Sequence, residues 1–430
     1  MKFLRRIYLF VFVMGLLLTW SCNRGSSDSS ISKSDVSSKT SLSPSLVIKA
    51  VGSPTGPDSR EPDLYSTADG RVLMSWAEKV ADKRVALRLA MRTADGWSEP
   101  RTVAEGENWF VNWADFPSVI AMPGGTLAAH WLVKSGSGTY AYDINLSLSK
   151  DGGKTWTKPI IPHKDKTQTE HGFVSLIPLA DGRVGAVWVD GRALKDMKDH
   201  EMNGPLPVSM SLRYAAIDSE GKLFDEALLD KRICECCQTS GAMTVDGPIA
   251  AYRARSESEV RDIYVVRQQN GKWSEPHPVH QDGWKINACP VNGPSIAADG
   301  QKVVVAWYTE ADDNPRVQVA FSNDSGRTFG SPIKVDDGNA IGRVDVLFLS
   351  DGSALVSWMA GTAEKGANKV RRVRRDGTYD DVSIVAETDI NRSSGFTRIA
   401  RTNDEVLFAW TVSGKPSRID TAVGTLGSKK

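Results

Sequence analysis

The sequence predicts an all-β protein, a β-propeller of seven four-stranded blades, and three observations lead to this prediction. A short apolar strand, a turn with Asp-Gly or a substitute, and a second apolar strand ending in an aromatic residue recur seven times. The copies lie 51 to 64 residues apart, enough for about four strands each. No segment after residue 22 has a sustained helical period. Six blades are the alternative count.

The repeating units supply the strands in a regular order. The aromatic residues that end the second strands are Trp76, Trp131, Trp188, Tyr252, Trp307, Trp358 and Trp410. Between them lie a third strand, such as Ile144–Ser149, and a Pro-containing edge strand, such as Ser331–Val335. The seventh unit has only three strands, so we expect Leu46–Val51 to supply its fourth strand and to close the ring, which hides both free sheet edges.

The composition indicates a sizeable core and argues against a nucleic-acid partner. The chain has 430 residues and is 40% hydrophobic, which is enough to bury a sizeable core. It has 53 Lys and Arg residues against 52 Asp and Glu residues, a formal charge of +1. A balance this even supplies no basic field for a polyanion, so we expect no nucleic-acid partner.

The N-terminal residues predict an exported protein. Residues 1–21 have a basic start, an apolar run from Ile7 to Leu18 and Thr19-Trp20-Ser21 before a lone Cys22. This is the layout of a secretory signal peptide, and its end resembles the bacterial lipobox, in which the Cys is acylated. We therefore expect a lipid anchor on Cys22 in the bacterial cell envelope, at the outer membrane or cell surface. Plain secretion is the alternative.

A serine-rich tether follows the predicted anchor. Of the 20 residues from Ser26 to Ser45, 11 are Ser, a composition that cannot bury enough apolar surface to fold. The predicted domains are therefore a signal peptide at 1–21, a lipidated Cys and tether at 22–45, the propeller at 46–426 and a tail at 427–430. We expect a monomer that contacts the membrane only through its anchor.

Two turns carry a recognisable motif. Ser149-Lys150-Asp151-Gly152-Gly153-Lys154-Thr155-Trp156 in blade 2 and Ser322-Asn323-Asp324-Ser325-Gly326-Arg327-Thr328-Phe329 in blade 5 both match the Asp-box. Asp151 and Asp324 are expected to accept backbone N–H groups within each turn, glycine supplies positive φ, and Trp156 and Phe329 pack between sheets. Residues 46–426 therefore resemble the sialidase-like Asp-box (BNR) repeat propellers. The resemblance implies that these turns are structural and lie on the face opposite the active site.

Functional residues are expected at the other end of the channel. If the first strand of each blade starts near the channel, the loops before the first strands and after the second strands share one rim. Arginines, carboxylates and tryptophans in these loops suit a glycan or another polar small ligand. The residues expected to act in catalysis are Arg60, Glu78, Asp82, Asp115, Asp190, Arg343 and Arg398. The residues expected to bind substrate are Trp109, Trp113, His171, Arg192, Arg253, Arg255, Trp284 and Asn292. The long loop Arg192–Pro207 is a candidate lid over this rim.

The resemblance to sialidases can be followed to single residues. Arg60-Glu61-Pro62 is similar to the Arg-Ile-Pro motif whose Arg grips the substrate carboxylate, and Glu78 and Asp82 look like the family's Glu and its Asp acid/base. Where the family carries its Tyr nucleophile, this chain has Phe396, whose ring has no oxygen to attack an anomeric carbon. A sialidase mechanism through Tyr at that position is therefore disfavoured.

Four further cysteines form the most distinctive pattern of the chain. Cys234, Cys236 and Cys237 precede the first strand of blade 4, and Cys289 precedes that of blade 5. In an exported protein the expected state is a disulfide between Cys289 and Cys236 or Cys237. A soft metal held by the thiolates and a free reactive thiol are the alternatives. The pattern is also similar to that of uncharacterised exported BNR-repeat proteins labelled as glycosyl hydrolases.

Three functions remain open from the sequence. The first is a surface-anchored, glycan-directed hydrolase or lyase that uses a pair of rim carboxylates and needs no cofactor. The second is a non-catalytic propeller that binds a carbohydrate or a protein through the same rim. The third is a metal or redox protein built around the cysteines.

Overall fold

The computed structural model describes residues 46–196, 208–363, 365–402 and 405–426. These residues form seven antiparallel sheets arranged as the blades of a propeller, with three short 3₁₀ helices at Arg192–Leu194, Ala311–Asp313 and Arg392–Ser394. Among the described residues, no helix is long and apolar enough to cross a bilayer. The predicted signal peptide, Cys22, the tether and the tail lie outside the described residues.

The strands follow the predicted order within each blade. Blade 1 contains Ser59–Ser66, Val72–Lys79, Val85–Thr93, Gly96–Trp97 and Arg101–Gly106. Blade 2 contains Ser118–Ala121, Leu127–Lys134 and Tyr142–Ser149. Blade 3 contains His171–Pro178, Val184–Asp190, Met210–Ile217 and Leu223–Ile233. Blade 4 contains Ser240–Thr244, Gly247–Arg253, Ile263–Gln269, Lys272–Trp273 and His277–Pro278. In blades 1 and 4 the outermost position is divided between two short segments that pair with the same third strand.

The remaining blades complete the ring. Blade 5 contains Ser295–Asp299, Lys302–Thr309, Arg316–Ser322 and Ile333–Lys334. Blade 6 contains Ala340–Phe348, Ala354–Gly361, Gly366–Val373 and Ser383–Thr388. Blade 7 contains Arg398–Arg401, Val406–Val412, Arg418–Leu426 and Leu46–Val51. Seven blades are therefore confirmed, and the alternative of six is wrong.

The ring closes as predicted. Leu46–Val51 pairs antiparallel with Arg418–Leu426, with Leu46 opposite Leu426 and Val51 opposite Thr421. The first strand of the described chain is thus the outer strand of the last blade. This pairing occupies the backbone groups of what would otherwise be an exposed sheet edge.

The core lies between adjacent blades. Trp76, Trp188, Trp307 and Trp358 occupy the same repeat position in four blades and are completely buried. Each lies in the second half of an apolar second strand, two or three residues before its observed end. Such a strand has neighbouring strands on both sides, and most of its residues are buried rather than every second one. The aromatic residue that recurs in the repeat therefore packs in the core between blades.

The two motif turns share most of their hydrogen bonds. In blade 2, Asp151 Oδ1 accepts the N–H groups of Lys154 and Thr155, and Ser149 Oγ accepts the N–H of Gly153. In blade 5, Asp324 accepts the Thr328 N–H and Ser322 Oγ accepts the Gly326 N–H. The two glycines have φ values of 84° and 78°, which glycine adopts without strain.

Candidate active site

Two neighbouring cavities open at the end of the propeller where the loops lead into the first strands. One, of about 1130 Å³, lies over blades 7 and 1 and is lined by Arg60, Glu61 and the Arg392–Pro416 region among others. The other, of about 580 Å³, is lined by loops of blades 2 to 5. Trp113 and Arg392 line both cavities. The motif turns lie at the other end, because Tyr142 lines the cavity and Ser149 ends the same strand roughly 23 Å away.

Two carboxyl groups and a phenol meet in the wall of the smaller cavity. Tyr142 begins the third strand of blade 2 and Glu170 lies opposite it in a parallel bridge. The Tyr142 hydroxyl is 2.8 Å from Glu170 Oε1 and 3.1 Å from Asp115 Oδ2. Asp115 Oδ1 accepts the N–H of Phe173 at 2.7 Å. We call Asp115, Tyr142 and Glu170 the acid cluster.

The acid cluster must hold an extra proton. One hydroxyl carries one proton, so Tyr142 can donate to only one of its two carboxyl partners. The second hydrogen bond forms only if the other carboxyl group is protonated and donates to the phenol oxygen. Burial is the main cause that raises the pKa of Asp115 to about 7 and the pKa of Glu170 well above its ordinary value. Hydrogen bonding and desolvation therefore agree that one carboxyl group is neutral near pH 7.

Glu61 is a third buried carboxyl group, and it lies between the two cavities. It lines the larger cavity and, with Asp115, a small pocket between blades 1 and 2. Burial raises the pKa of Glu61 to about 8, and its Oε2 atom has no hydrogen-bond partner. Its φ of 56° is uncommon for a residue other than glycine, and strain of this kind clusters at functional sites.

Five of the predicted catalytic and substrate-binding residues lie at these cavities or at a smaller pocket beside Arg60, which Asp82 also lines. Arg60 lines the larger cavity, Asp115 belongs to the acid cluster, and Trp113 lies where the two cavities meet, stacked on Phe396 with ring centroids 6.0 Å apart. Trp109 stacks on Trp131 at 5.7 Å in the wall of a shallower pocket beside Arg60. The loops before blades 1 and 2 thus bring several of the predicted residues to one rim, and their roles stay predictions.

The other predicted catalytic carboxylates belong to local networks. Glu78 accepts the indole N–H of Trp76 at 3.0 Å and pairs with Arg88 at 3.2 Å, inside blade 1. Asp190 is buried, accepts the indole N–H of Trp188 and pairs with Arg192 at 2.6 Å. The Asp82 side chain is 92% exposed. The predicted acid/base pair of Glu78 and Asp82 is therefore not assembled.

Arg343 and Arg398 do not form a carboxylate grip with Arg60. Arg343 donates to the carbonyls of Gly395 and Ile390 and lies over the Trp113 ring, and burial lowers its pKa to about 10. Arg398 pairs with Asp63 at 3.0 Å and with Asp345 at 3.5 Å. Both side chains tie neighbouring blades together.

Residues predicted to bind substrate from blades 4 and 5 are also structural. Arg253 donates to the carbonyls of Asn292, Arg261 and Tyr308 and lies over Trp284, which is 5% exposed. The side chain of Asn292 bonds to the Arg343 N–H and to the Ile341 carbonyl. These side chains hold the loops that form the cavity.

A second buried ionic cluster lies directly behind the acid cluster. His171 stacks on His163 with centroids 3.7 Å apart, and the carboxylate of Asp165 bonds to both rings, at 3.2 and 3.1 Å. Arg192 reaches the same Asp165 at 3.4 Å. Although burial alone lowers the pKa of His171, Asp165, Asp190 and Asp143 raise it above its ordinary value. His171 and Arg192 thus belong to an internal network, and residues 197–207 of the predicted lid lie outside the described residues.

The four cysteines of the described chain are free. The nearest sulfur atoms are those of Cys234 and Cys237, at 3.1 Å, which exceeds the roughly 2.05 Å of a disulfide bond. The predicted bond from Cys289 to Cys236 or Cys237 is therefore absent, although Cys236 and Cys289 line the same cavity. Arg255 pairs with Glu235 beside this cluster.

Sequence reasoning missed Tyr142 and Glu61 as site residues. The predicted third strand of blade 2 begins at Ile144, which puts Tyr142 in the preceding loop, whereas the observed strand begins at Tyr142 itself. Glu61 stands where the similar family motif has Ile, and this substitution of a carboxyl group was the available signal.

Comparisons with known proteins support the fold. No protein-family model matches the chain, and no curated protein matches it. Among solved structures, it is similar to a PL25 ulvan lyase bound to -[GlcA(1-4)Rha3S]-, with a TM-score of 0.53, 12% identity and coverage of 88% of this chain and 95% of that chain. It is also similar to polysaccharide lyase Uly1, with a TM-score of 0.50, 10% identity and coverage of 85% and 90%. The NanB sialidase from Streptococcus pneumoniae has a TM-score of 0.43, 14% identity and coverage of 92% and 72%.

Proposed function

We propose that this protein is a glycan-directed hydrolase whose catalytic groups are Asp115 and Glu170. The observation that carries the proposal is the acid cluster, in which two carboxyl groups share a proton through Tyr142 in the wall of a 580 Å³ cavity. Carboxyl groups with raised pKa values in a cleft are the usual means of acid/base catalysis. Lysozyme-type chemistry needs such a pair, with one group protonated and one ionised.

The separation of the two groups favours a retaining mechanism. Both carboxyl oxygens bond to one phenol oxygen, so they lie within about 6 Å of each other. This is nearer the roughly 5–5.5 Å of retaining enzymes than the roughly 6.5–9.5 Å of inverting ones. Glu170 protonates the glycosidic oxygen while the Asp115 carboxylate attacks the anomeric carbon. Water then breaks the resulting ester, and the Glu170 carboxylate takes its proton.

Tyr142 is a positioning residue in this scheme. Burial raises its pKa well above the ordinary value, and the charges of Glu170 and Asp115 raise it further. The phenol therefore keeps its proton near neutral pH and does not attack the sugar. It holds the two carboxyl groups at a fixed separation instead.

The cavity lining suits a glycan with acidic substituents. Arg392 lines both cavities, where a uronate or sulfate group would meet its positive charge. Trp113 offers an apolar surface at the junction of the cavities. The shared fold with polysaccharide lyases supports a polymeric substrate by analogy.

We also propose the cellular setting that the N-terminal sequence indicates. The signal-like residues 1–21, the candidate lipidation site Cys22 and the serine-rich tether support an exported, lipid-anchored monomer of the Asp-box type. A position in the cell envelope would place the propeller where polysaccharides are encountered. A cofactor is not required by this chemistry.

A lyase is the second candidate. The shared fold with two lyases, at TM-scores of 0.53 and 0.50, favours it. Asp115 would then accept the proton next to a uronate carboxylate, and Glu170 would donate a proton to the leaving oxygen. Elimination leaves a conjugated double bond in the product, whereas hydrolysis does not.

The test measures products from neutral, uronate-containing and sulfated polysaccharides and from a panel of fluorogenic glycosides. We expect new reducing ends without ultraviolet absorbance of an unsaturated uronate. Asp115→Asn should lower the rate at least about 100-fold, because general acid/base and nucleophilic groups contribute at least that much. Ultraviolet absorbance that appears with the reducing ends would favour the lyase.

The matched control is Asp82→Asn, which removes a carboxylate that is 92% exposed. We expect it to retain the wild-type rate. Equal activity of Asp115→Asn and Asp82→Asn would contradict the catalytic assignment. Glycan binding without product from any substrate would favour the non-catalytic carbohydrate-binding propeller.

A further inference from the structure

Three cysteine side chains converge beside the smaller cavity. Cys234, Cys236 and Cys237 lie in the loop between the last strand of blade 3 and the first strand of blade 4. Their sulfur atoms all lie within 4.8 Å of one another, with 3.9 Å between Cys234 and Cys236 and 3.1 Å between Cys234 and Cys237. We call these residues the sulfur triangle. The Cys289 sulfur is not part of it.

The loop that carries the sulfur triangle is held rigidly by its surroundings. The Cys234 N–H donates to the Arg253 carbonyl at 2.9 Å. Between the cysteines, the Glu235 carboxylate pairs with Arg255 and, at 3.2 Å, with Arg261. Glu259 pairs with the same two arginines at 2.7 and 2.9 Å. These buried ion pairs fix the loop from both sides, so the sulfur atoms converge before any ligand arrives.

Arg261 supplies a positive charge to the sulfur triangle. Its Nη1 atom is 3.2 Å from Cys234 Sγ, and its side chain is 3% exposed. An N–H donated to a buried sulfur stabilises the thiolate form, which is the form that binds metals. Outer partners of this kind orient and tune the ligands of metal sites.

We propose that the sulfur triangle binds one Cu(I) ion through Cys234, Cys236 and Cys237. Thiolates select soft metals, chiefly Cu(I), Zn²⁺ and iron–sulfur clusters. A structural zinc site takes four protein ligands in a tetrahedron. Here three sulfur atoms lie close to one another, Cys289 contacts Cys236 alone among the described cysteines, and the carboxylate of Glu235 is engaged by two arginines. A trigonal three-sulfur site suits Cu(I).

The cavity provides access to the site. Cys236 is the only partly exposed member of the sulfur triangle, and it lines the 580 Å³ cavity, whereas Cys234 and Cys237 are buried. An ion that enters the cavity therefore meets Cys236 first. The copper site and the acid cluster share this cavity, but neither assignment depends on the other.

The test is titration of the full chain, purified without metal under reducing conditions, with Cu(I) in competition with a chromophoric Cu(I) chelator. We expect one Cu(I) per chain, a thiolate-to-copper ultraviolet absorption band, and three sulfur ligands by X-ray absorption spectroscopy. Cys236→Ser should abolish stoichiometric binding. This variant alters the partly exposed member, and its circular dichroism and unfolding midpoint check that it folds.

Cys289→Ser is the matched control, because it removes a thiol from the wall of the same cavity but outside the sulfur triangle. We expect it to keep one Cu(I) per chain. Loss of copper from Cys289→Ser as complete as from Cys236→Ser would overturn the three-ligand assignment. Binding of Zn²⁺ in preference to Cu(I) would overturn the choice of metal. A chain that takes up no copper after reduction, or whose intact mass shows disulfides that resist reduction, would overturn the site.

Discussion

The single hydroxyl proton of Tyr142 restricts the protonation states of Asp115 and Glu170. Because its hydroxyl contacts both Asp115 and Glu170, one carboxyl group must be neutral for all three to be satisfied. Burial raises the pKa of Asp115 to about 7 and raises the pKa of Glu170 well above its ordinary value, so neither group titrates as an ordinary carboxyl group. Asp115 is the proposed nucleophile and Glu170 the proposed acid.

The pH profile of activity follows from this assignment. Hydrolysis needs Asp115 ionised and Glu170 protonated, so we expect the rate to rise as the pH passes about 7, as Asp115 ionises. It should fall again at higher pH, when Glu170 loses its proton. The measurement is kcat/KM from pH 5 to 10. A rate that is highest at pH 5 would contradict these roles.

Glu61 predicts how stability depends on pH. Its pKa is about 8 in the folded protein and 4.5 ordinarily, so between these values the folded chain holds a proton that the unfolded chain has released. Stability must then fall as the pH rises from 4.5 through 8. Glu61→Gln should remove this loss, which is of the order of a few kcal/mol at pH 9. Thermal unfolding midpoints from pH 5 to 9 measure it.

The control for the Glu61 prediction is an exposed carboxylate. Asp82→Asn should keep the wild-type dependence of the unfolding midpoint on pH, because its side chain is 92% exposed. If Glu61→Gln and Asp82→Asn follow the same curve, burial of Glu61 does not cause the loss.

At the scale of single elements, the turns of blades 2 and 5 are interchangeable units. Ser149 and Ser322 each accept a buried glycine N–H and donate to the Asp of the same turn. The two turns belong to different blades and share no partner. Neither lies near a cavity lining residue, because each ends a strand at the face away from the cavities.

Removing either serine hydroxyl should therefore cost stability without affecting catalysis. We expect Ser149→Ala and Ser322→Ala each to lower the free energy of unfolding by about 1–3 kcal/mol, because a buried N–H loses its acceptor. The double variant should show the sum of the two losses, since distant sites are additive. Chemical denaturation measures this, and a double variant no less stable than either single variant would argue against independent turns.

The strands could be predicted from the sequence because the same pattern of residues recurs in every blade. The directions of the side chains at the rim could not be predicted in this way. The strand Leu46–Val51 was predicted with its observed bounds, and the predicted Ile144–Ser149 is observed as Tyr142–Ser149. Glu78 was expected in the loop after the second strand of blade 1, yet it lies within that strand and accepts the indole N–H of Trp76 in its own blade. Rim side chains depend on partners from other blades, as Arg398 does on Asp63 and Asp345, and a repeat pattern carries no information about such pairs.

At the scale of the whole molecule, closure of the ring depends on one strand. Leu46 is 8% exposed in the outer strand of blade 7, whereas its neighbour Val47 is 62% exposed. Leu46→Ser should lower the free energy of unfolding by about 2 kcal/mol or more, because it removes buried apolar surface at the point of closure. Val47→Ser should leave stability unchanged. Equal unfolding midpoints of the two variants would indicate that this strand does not secure the ring.

The position of Leu46 directly opposite Leu426 also determines how the ring responds to mechanical force. The two ends of the described propeller emerge side by side from an antiparallel pair, so tension between them acts across the strands rather than along them. Hydrogen bonds loaded in this way break one at a time, beginning with the outermost pair. Under modest tension, the two strands would therefore separate from one end, beginning at Leu46 and Leu426 in blade 7. The other six blades would carry none of this force until that pair has separated.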